Sequence, residues 1–402
     1  MKKTNVFVFV SCFLIIISGF ASLKLWGGIY ESFRTFVPMC REAGFFASAD
    51  AFTSAAEKVC TEGIGGHDVY MDMNSLFLRY TNTKIVEKED ISVVKSETGY
   101  LANPRPYMDD EKLRSRAEKV AELYSVATEN GAEFMYITAP TKGYEMRYAA
   151  NVEDYTKSNC DRFSLFLAEK EIPHLNLIEV MKERGVSEEE MFFVTDHHWK
   201  PNYAFVAAGE ISATLCDKYG FNYDKENMNI ENYNVETLKN WFLGSQGKKV
   251  GSFFTPLGPD DIDIITPKFE TSLTEKQPNK GTVREGRFED TVMYMENASM
   301  RDLYTLNPYA TYSGGDFREQ IITNHLNPDG ASVLLIRDSF SCAMSPFLAL
   351  NTSNLYCVDV RAGGMYVGDK IRVYEYIEKI KPDYVLVMYT GVSSGDDLFD
   401  FN

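Results

Sequence analysis

The sequence predicts a three-layer α/β fold with a mainly parallel sheet. Two apolar runs favour it, Glu133–Ala139 and Ser332–Ile336, because each ends abruptly in polar residues, as buried strands of an open α/β sheet do. A helical pattern with an acidic first turn precedes the first run. With 402 residues, 45% of them hydrophobic, the chain is long and apolar enough to bury a large core.

The N-terminal residues predict export. Lys2 and Lys3 precede the uncharged stretch Thr4–Leu23, which is about long enough to span a bilayer. We interpret residues 1–24 as a signal-anchor, with a signal peptide cleaved after Ala21 as the alternative, and residues 25–63 as a membrane-proximal region. The flanking lysines place the rest of the chain outside the cytoplasm. The protein is therefore expected to be extracytoplasmic, anchored to the bacterial cytoplasmic membrane, or secreted if cleaved.

Residues 64–402 are predicted to form one α/β catalytic domain. The stretch Gly65–Asp72 is interpreted as its first strand. A helix then begins at Asp109-Asp110-Glu111 and ends at Asn130-Gly131. After the strand 133–139 we expect a helix over 160–170, a strand over 172–178, and a helix over 203–215 with Pro201 near its first turn.

Residues from about 224 to 299 interrupt the α/β pattern. They are polar, contain several prolines, and include short alternating stretches at Val250–Phe254 and Ile262–Ile265. We interpret them as an insertion of strands and loops that forms a lid or cap over the sheet edge. The α/β pattern resumes with a predicted helix over 317–326 and strands over 332–336 and 353–360, then a helix over 370–380 and a last strand over 383–388.

The most informative motif is Thr195-Asp196-His197-His198-Trp199, in a chain with only five histidines. In an extended segment Asp196 and His198 point to the same side, so the carboxylate can fix the tautomer of a general base. Ser339 follows a predicted strand and begins a predicted helix, whose free N–H groups suit an oxyanion. The sequence therefore predicts a Ser-His-Asp enzyme with the nucleophile last.

Other interpretations of these residues stay open. Asp338 or Ser339 could be an ordinary helix N-cap, and the Asp-His pair could be structural. The Asp-His-His triplet could also bind a divalent metal, but the remaining histidines lie in ordinary contexts, at His67, His174 and His325. We expect neither a metal nor a cofactor.

Charge and cysteine content limit the possible partners. The formal net charge of −17 argues against nucleic acid, whose binding depends on Lys and Arg. The 54 aromatic residues (24 Tyr, 27 Phe and 3 Trp) are compatible with sugar-stacking surfaces as well as with an ordinary core. Seven cysteines show no metal-binding spacing. Cys40 with Cys60, or Cys342 with Cys357, could form disulfides, and the pairing stays open.

Asp196–Trp199 together with Arg337-Asp338-Ser339-Phe340 resembles the bacterial DHHW proteins, which are related to AlgX/AlgJ-type polysaccharide O-acetyltransferases of the SGNH-hydrolase-like group. Three further segments are similar to those of the family: Ala139–Lys142, the stretch from Asn307-Pro308-Tyr309 to Gly314-Gly315-Asp316, and Pro382–Val385. The resemblance covers roughly residues 65–389.

The resemblance implies an SGNH-hydrolase-like fold with Ser339 as nucleophile, His198 as base and Asp196 as the carboxylate that orients it. It also suggests residues for the oxyanion hole or for substrate binding: the backbone N–H of Ser339, Gly315, Lys142, Tyr309, Arg337 and Trp199. The implied partners are a polysaccharide acceptor and a membrane-bound acyltransferase that supplies acetyl groups.

Three functions are consistent with these residues. The first is O-acetyl transfer to an extracytoplasmic polysaccharide through an acetyl-serine, and the second is glycan acetylester hydrolysis by the same fold. The third is non-catalytic polysaccharide binding in the cell envelope. The first is the leading hypothesis. Arg337 and Asp316 keep the third open as an alternative, because the SGNH pattern has a glycine and a neutral asparagine at these positions.

Overall fold

The computed structural model describes residues 67–88, 91–361, 370–391 and 395–402. The predicted export segment and membrane-proximal region lie outside these residues, as do Cys12, Cys40 and Cys60. Among the helices within the described ranges, none is long and apolar enough to cross a membrane.

Helix α1 (His67–Tyr80) belongs to a compact unit that ends at Thr81. Residues 67–72, the described part of the strand predicted at Gly65–Asp72, are helical, so that prediction is wrong there. Its apolar residues continue at helical spacing, with Val69, Met73, Leu76, Phe77 and Tyr80 all exposed, rather than in alternation.

The second unit, Asn82–Asn402, holds all the remaining elements. Its strands are β1 (Ile85–Lys88), β2 (Ile91–Lys95), β3 (Leu101–Ala102), β4 (Glu133–Ala139), β5 (His174–Asn176), β6 (Tyr233–Phe242), β7 (Asp260–Pro267), β8 (Leu273–Gln277), β9 (Thr282–Gly286), β10 (Glu319–Asn324), β11 (Ser332–Arg337), β12 (Asn354–Val358) and β13 (Tyr384–Thr390). Its α-helices are α2 (Asp110–Glu129), α3 (Thr156–Glu169), α4 (Leu177–Glu183), α5 (Glu188–Met191), α6 (Pro201–Tyr219), α7 (Ser245–Val250), α8 (Phe288–Thr291), α9 (Ser345–Ala349) and α10 (Val373–Ile380). Short 3-10 helices include Ser339–Ala343 and Pro308–Thr311.

An eight-stranded sheet organises this unit, in the order β5-β4-β13-β11-β12-β10-β8-β9. The first five strands are parallel, and β10, β8 and β9 extend the sheet with antiparallel pairs. Alternate residues of the central strands enter two separate cores. Leu335 and Met388 pack on the face that α6 covers, and Ile336 and Val387 on the face of α2, α3 and α10. The predicted three-layer, mainly parallel fold is confirmed.

Helix α2 begins as its sequence predicts. The Asp109 side chain accepts a hydrogen bond from the Lys112 N–H at 2.7 Å, which caps one of the free donors of the first turn. Asn130 ends the helix, and Gly131 follows with a φ of 84°. The predicted strand at 133–139 and the predicted helix after Pro201 are also present.

Several predicted elements differ from the structure. The predicted helix at 317–326 is wrong: β10 occupies Glu319–Asn324, where buried and partly buried residues alternate strictly. Val250–Phe254 is not a strand, because Val250 ends α7 and turns follow, whereas Ile262–Ile265 lies within β7. Part of the 224–299 segment extends the main sheet through β8 and β9 instead of covering its edge.

Cys342 and Cys357 do not form the disulfide that the sequence left open. Both are buried and free in the structure. Burial raises the pKa of each thiol to about 12, so both remain protonated at neutral pH.

Candidate active site

Three side chains from two distant parts of the chain form a continuous hydrogen-bonded line. Asp196 Oδ1 lies 2.6 Å from His198 Nδ1, and His198 Nε2 lies 2.8 Å from Ser339 Oγ. Ser339 follows the C-terminal end of β11, and His198 lies in the loop that leads into α6. The order carboxylate, imidazole and hydroxyl is the geometry by which a base activates a serine.

The environment of Asp196 keeps it ionised. Its side chain is buried, which by itself raises the pKa. The nearby rings of His197 and His198 and the hydrogen bonds from His198 outweigh burial, and the pKa of Asp196 lies well below its usual range. The other carboxylate oxygen accepts the Ser245 N–H at 2.6 Å. An ionised Asp196 therefore holds His198 with Nδ1 protonated and Nε2 free to accept a proton.

Lys142 and Asp260 hold the backbone of the Asp196–His198 loop. The buried Lys142 ammonium donates to the carbonyl oxygens of Phe193, Val194 and Asp196 at 2.7 to 3.1 Å. The Asp260 carboxylate accepts from the N–H groups of Val194 and Thr195 at 2.5 and 2.8 Å. Lys142, predicted to bind substrate, therefore positions the loop, although it also lines the pocket described below. Burial lowers its pKa to about 7.

Gly244 allows the chain to pass directly behind Asp196. A Cβ atom at this position would lie 2.1 Å from the Asp196 Cβ, closer than real Cβ atoms approach. Gly244 N–H also donates to Thr195 Oγ1 at 2.9 Å, and Ser245 supplies the N–H that binds the Asp196 carboxylate. The contacts of Gly244 and Ser245 with the Asp196 loop were not predicted from the sequence, because both residues lie in the 224–299 segment, far from the motif along the chain.

Trp199 and Tyr309, predicted to bind substrate, are buried and position the site instead. Trp199 Nε1 and the Tyr309 hydroxyl both donate to the carbonyl oxygen of Phe340, at 3.0 and 3.2 Å. The Tyr309 ring stacks on the His198 ring, with centroids 4.2 Å apart and an angle of 18°. Together they fix the residue after Ser339 and the plane of the imidazole.

Asp338 begins the 3-10 helix that presents Ser339. Its carboxylate accepts the Phe340 N–H at 3.0 Å and the Thr390 N–H at 2.7 Å, so it is an N-cap, as one of the open interpretations held. Asp338 is therefore the N-cap, and the Ser339 hydroxyl forms its hydrogen bond with His198 instead. Among the described residues, no group accepts the Ser339 N–H.

Ser339 lies at the edge of a pocket of about 240 Å³. Most of its lining residues are polar and three of them are cationic, although its surface is about equally polar and apolar. Among its lining residues are Arg105, Thr141, Lys142, His197, Ser339 and Arg361. Thr141 Oγ1 is buried and has no hydrogen-bond partner in the structure. The pocket therefore places an unpaired hydroxyl group in the same cavity as Ser339.

Gly315 and Arg337 do not contribute to this pocket. The Gly315 N–H donates to the Tyr312 carbonyl oxygen at 3.3 Å, so it is already used in a turn. Arg337 is fully buried, and its guanidinium binds Asp316 and the Phe317 carbonyl oxygen. The predicted oxyanion or substrate roles of Gly315 and Arg337 find no support in this arrangement.

Asp196, His197 and His198 could in principle hold a metal ion, since one ligand atom from each lies within 4.8 Å of the others. The hydrogen bonds compete with this arrangement. Asp196 Oδ1 and His198 Nδ1 bind each other, Asp196 Oδ2 accepts the Ser245 N–H, and His197 Nδ1 lies 3.0 Å from Ser245 Oγ. A metal ion would have to replace these hydrogen bonds, so the residues as they stand fit a proton-transfer site better than a metal site.

Comparison with known proteins agrees with this architecture. PatB1 from Bacillus cereus superimposes with a TM-score of 0.62 at 24% identity, over 77% of this chain and 99% of that chain. A second structure of PatB1, with a sulfonyl adduct, gives a TM-score of 0.62 at 22% identity, over 79% and 99%. A DHHW family protein from Eubacterium siraeum gives a TM-score of 0.54 at 17% identity, over 79% and 96%. A comparison with curated protein sequences finds no match.

These likenesses show that the chain shares its mixed α/β fold, with a large and mostly parallel sheet, with PatB1 and the Eubacterium siraeum protein. The model of the DHHW protein family matches residues 149–358, a little over half of the chain, which include both the Asp196–Trp199 motif and Ser339. The chain belongs to the DHHW family.

Proposed function

We propose that this protein is an extracytoplasmic O-acetyltransferase that modifies a polysaccharide through an acetyl-serine intermediate. The observation that supports it is the unbroken hydrogen-bonded line from Asp196 through His198 to Ser339, which ends at a pocket. The sequence resemblance to AlgX/AlgJ-type O-acetyltransferases supports the choice of acetyl as the transferred group.

The first half of the reaction would form the acetyl-enzyme. Ser339 Oγ attacks the acetyl carbonyl carbon of the donor while its proton passes to His198 Nε2. The tetrahedral oxyanion then collapses, the ester bond to the donor breaks, and the leaving oxygen takes the proton from His198. In the second half a sugar hydroxyl gives its proton to His198 and attacks the acetyl-serine, which restores Ser339 Oγ–H and yields an acetylated sugar.

We assign the oxyanion hole to the Ser339 N–H and the Thr141 hydroxyl. Neither group has a partner among the described residues, and Thr141 Oγ1 is buried beside the Ser339 pocket. Donors held in place before the charge develops stabilise it without reorganisation. Thr141 belongs to the quoted segment Ala139–Lys142, but the sequence alone gave it no role.

The acetyl donor and the acceptor are part of the same proposal. A membrane-bound acyltransferase would supply the acetyl group, and an extracytoplasmic polysaccharide would receive it. The alternative is a glycan acetylesterase, which ends the same reaction with water. An acetylated donor incubated with an oligosaccharide acceptor separates the two, because transfer yields acetylated sugar and hydrolysis yields only acetate.

The decisive experiment is p-nitrophenyl acetate turnover with intact-mass detection of the enzyme. We expect an adduct of about 42 Da, an acetyl group on one serine, in the wild type and none in Ser339→Ala. His198→Ala should abolish turnover as well, whereas the control Ser299→Ala, at an exposed serine, should leave it unchanged. Because PatB1 from Bacillus cereus is known with a sulfonyl adduct, methanesulfonyl fluoride is a matched second probe for Ser339. Full turnover in Ser339→Ala, or no turnover and no adduct in the wild type, would reject the proposal in favour of non-catalytic binding.

A further inference from the structure

A second concavity, of about 380 Å³, lies at the end of the sheet opposite to the Ser339 pocket. Its lining includes Asn324, which ends β10, and Asn351, which precedes β12. The Asn324 N–H donates to Ser353, and the Ser353 N–H donates to Ala331, so these residues lie at the start of β11 and β12. Ser339 follows the other end of β11, whose six residues span about 20 Å. The concavity is thus separate from the Ser339 pocket.

The lining of this concavity suits a hydroxyl-rich ligand. Amide side chains both donate and accept hydrogen bonds, and two carboxylates add acceptors. Two aromatic residues, Tyr223 and Phe269, offer apolar surface for the C–H faces of a sugar ring. None of the described residues that line it is Lys or Arg, so an anionic ligand would find no counter-charge. The asparagines and carboxylates are Asn222, Asn227, Asn324, Asn327, Asn351, Asp224 and Glu270.

Asn351 holds an unused donor in this lining. Its side chain is 1% exposed, and its Oδ1 accepts from the Asp224 N–H and from Asn227 Nδ2, both at 3.2 Å. These two donors fix the orientation of the amide, so Nδ2 is correctly placed. Nδ2 has no acceptor in the structure. Buried polar groups are seldom left unpaired, and a ligand oxygen would satisfy this one.

The concavity continues into a neighbouring hollow of about 430 Å³. The two share Asp224, Asn227 and Phe269 and adjoin as one groove. The hollow adds one cation, Lys268, whose ammonium donates to the Glu231 carbonyl oxygen, and one carboxylate, Glu226, so the groove as a whole still offers no excess of positive charge. The Phe269 ring, packed edge-on against Tyr233 at 5.5 Å between centroids, lies where the two parts meet. A groove with a central aromatic ring can accommodate several linked sugar units.

We propose that this groove binds a neutral saccharide chain, with the Asn351 amide as a hydrogen-bond donor and Tyr223 and Phe269 as apolar faces. The inference goes beyond the acetyl-transfer function and does not depend on it. The groove would hold a polysaccharide at a place remote from Ser339.

The test is saturation-transfer NMR and calorimetry on the full chain with neutral tetrasaccharides of glucose, mannose and N-acetylglucosamine. We expect at least one to bind. Asn351→Asp keeps the acceptor oxygen for Asp224 and Asn227 but removes the donor, and should weaken binding roughly tenfold, the usual effect of one lost hydrogen bond. Tyr223→Ala, which leaves the Asn351 contacts in place, should weaken binding similarly.

The controls separate this site from the Ser339 site. Asn279→Asp makes the same chemical change at an exposed asparagine outside the groove and should bind normally, as should Ser339→Ala. Turnover of p-nitrophenyl acetate should be unchanged in Asn351→Asp and Tyr223→Ala. Binding of none of the three tetrasaccharides, or equal binding by both groove variants and the wild type, would overturn the inference. Calcium binding that Asn351→Asp alters, without any saccharide binding, would overturn it in favour of a cation site.

Discussion

The guanidinium of Arg337 donates a hydrogen bond to the carboxylate of Asp316 at 2.9 Å. These are the two residues whose departure from the SGNH pattern kept a non-catalytic protein open as an alternative. The structure shows that they are partners. Arg361 also lies 3.2 Å from the same Asp316 oxygen. The two departures therefore form one ion pair beneath the end of β11, and they give no sign of a lost active site.

This pair predicts coupled effects on stability. Asp316→Ala removes the carboxylate that pairs with the fully buried Arg337 and should lower the free energy of unfolding by about 1–3 kcal/mol. This loss is smaller than for a fully buried pair, because Asp316 is partly exposed and solvent screens its charge. Arg337→Met should also destabilise, and the double variant should lose less than the sum of the two. Urea unfolding of the four proteins measures the coupling. Strict additivity of the two single losses would refute the coupling. The control is Asp329→Ala, at an exposed aspartate outside the pair.

Gly244→Ala should reduce turnover without unfolding the protein. The added Cβ would overlap the Asp196 Cβ and displace the carboxylate from His198. Displacement of a catalytic group by about 1 Å costs on the order of a hundredfold, so we expect kcat for p-nitrophenyl acetate to fall by roughly tenfold to a hundredfold. Gly209→Ala, whose Cβ would meet only ordinary contacts at 3.5 Å, is the matched control. Equal kcat in the two variants would contradict the close approach.

Lys142 predicts a pH dependence of stability. Its pKa is lowered from 10.5 to about 7 by burial, so between these values the unfolded chain binds more protons than the folded one. The free energy of unfolding contributed by Lys142 should therefore rise as pH increases from about 7 towards 10. We would measure the free energy of unfolding of both proteins with urea across this pH range. The value for the wild type minus the value for Lys142→Met should increase with pH.

Exposed Lys276→Met serves as the control for Lys142, and its difference from the wild type should not vary with pH. Lys142→Met should also lower turnover at every pH, because the carbonyl groups that it holds belong to the loop of Asp196 and His198. A flat stability difference would show that the folded state keeps the ordinary pKa of this lysine.

Turnover of p-nitrophenyl acetate should survive prolonged treatment with EDTA. His198 is bonded to Asp196 through Nδ1 and to Ser339 through Nε2, so proton transfer needs both nitrogens of His198 free of metal. Excess Zn²⁺ should inhibit, because it would compete for His198. Loss of activity in EDTA with recovery on added Zn²⁺ would reject the proton-transfer assignment.

The fold was predictable from the sequence wherever local pattern and tertiary environment agree. Strands β4, β11 and β13 are continuous apolar runs, and Asp109 and Gly131 mark the limits of α2. The alternation in β10 is too short to be distinguished from a helix pattern, and its antiparallel pairing with β12 is a tertiary fact.

The candidate site was predictable only in part. The spacing of Asp196 and His198 and the strand before Ser339 are local signals, and they single out three residues that the structure places in one hydrogen-bonded line. The backing by Gly244 and Ser245 depends on contacts about fifty residues away in sequence. Lys142 was predicted to bind substrate, but its bonds to the loop of Asp196 were not foreseen, because lysines are almost never fully buried and sequence alone places them at surfaces.

The order of the active-site residues along the chain has a consequence for biogenesis. The base precedes the nucleophile by 141 residues, and β11 must insert between β13 and β12 before Ser339 meets His198. Such long-range closure makes folding slow. A ribosome-bound chain that has not yet reached Ser339 would hold the His198 imidazole without its hydroxyl partner. The hydrogen-bonded line would thus close only after β12 and β13, the neighbours of β11, have been synthesised, so the strand order of the sheet delays assembly of the candidate site until the end of synthesis.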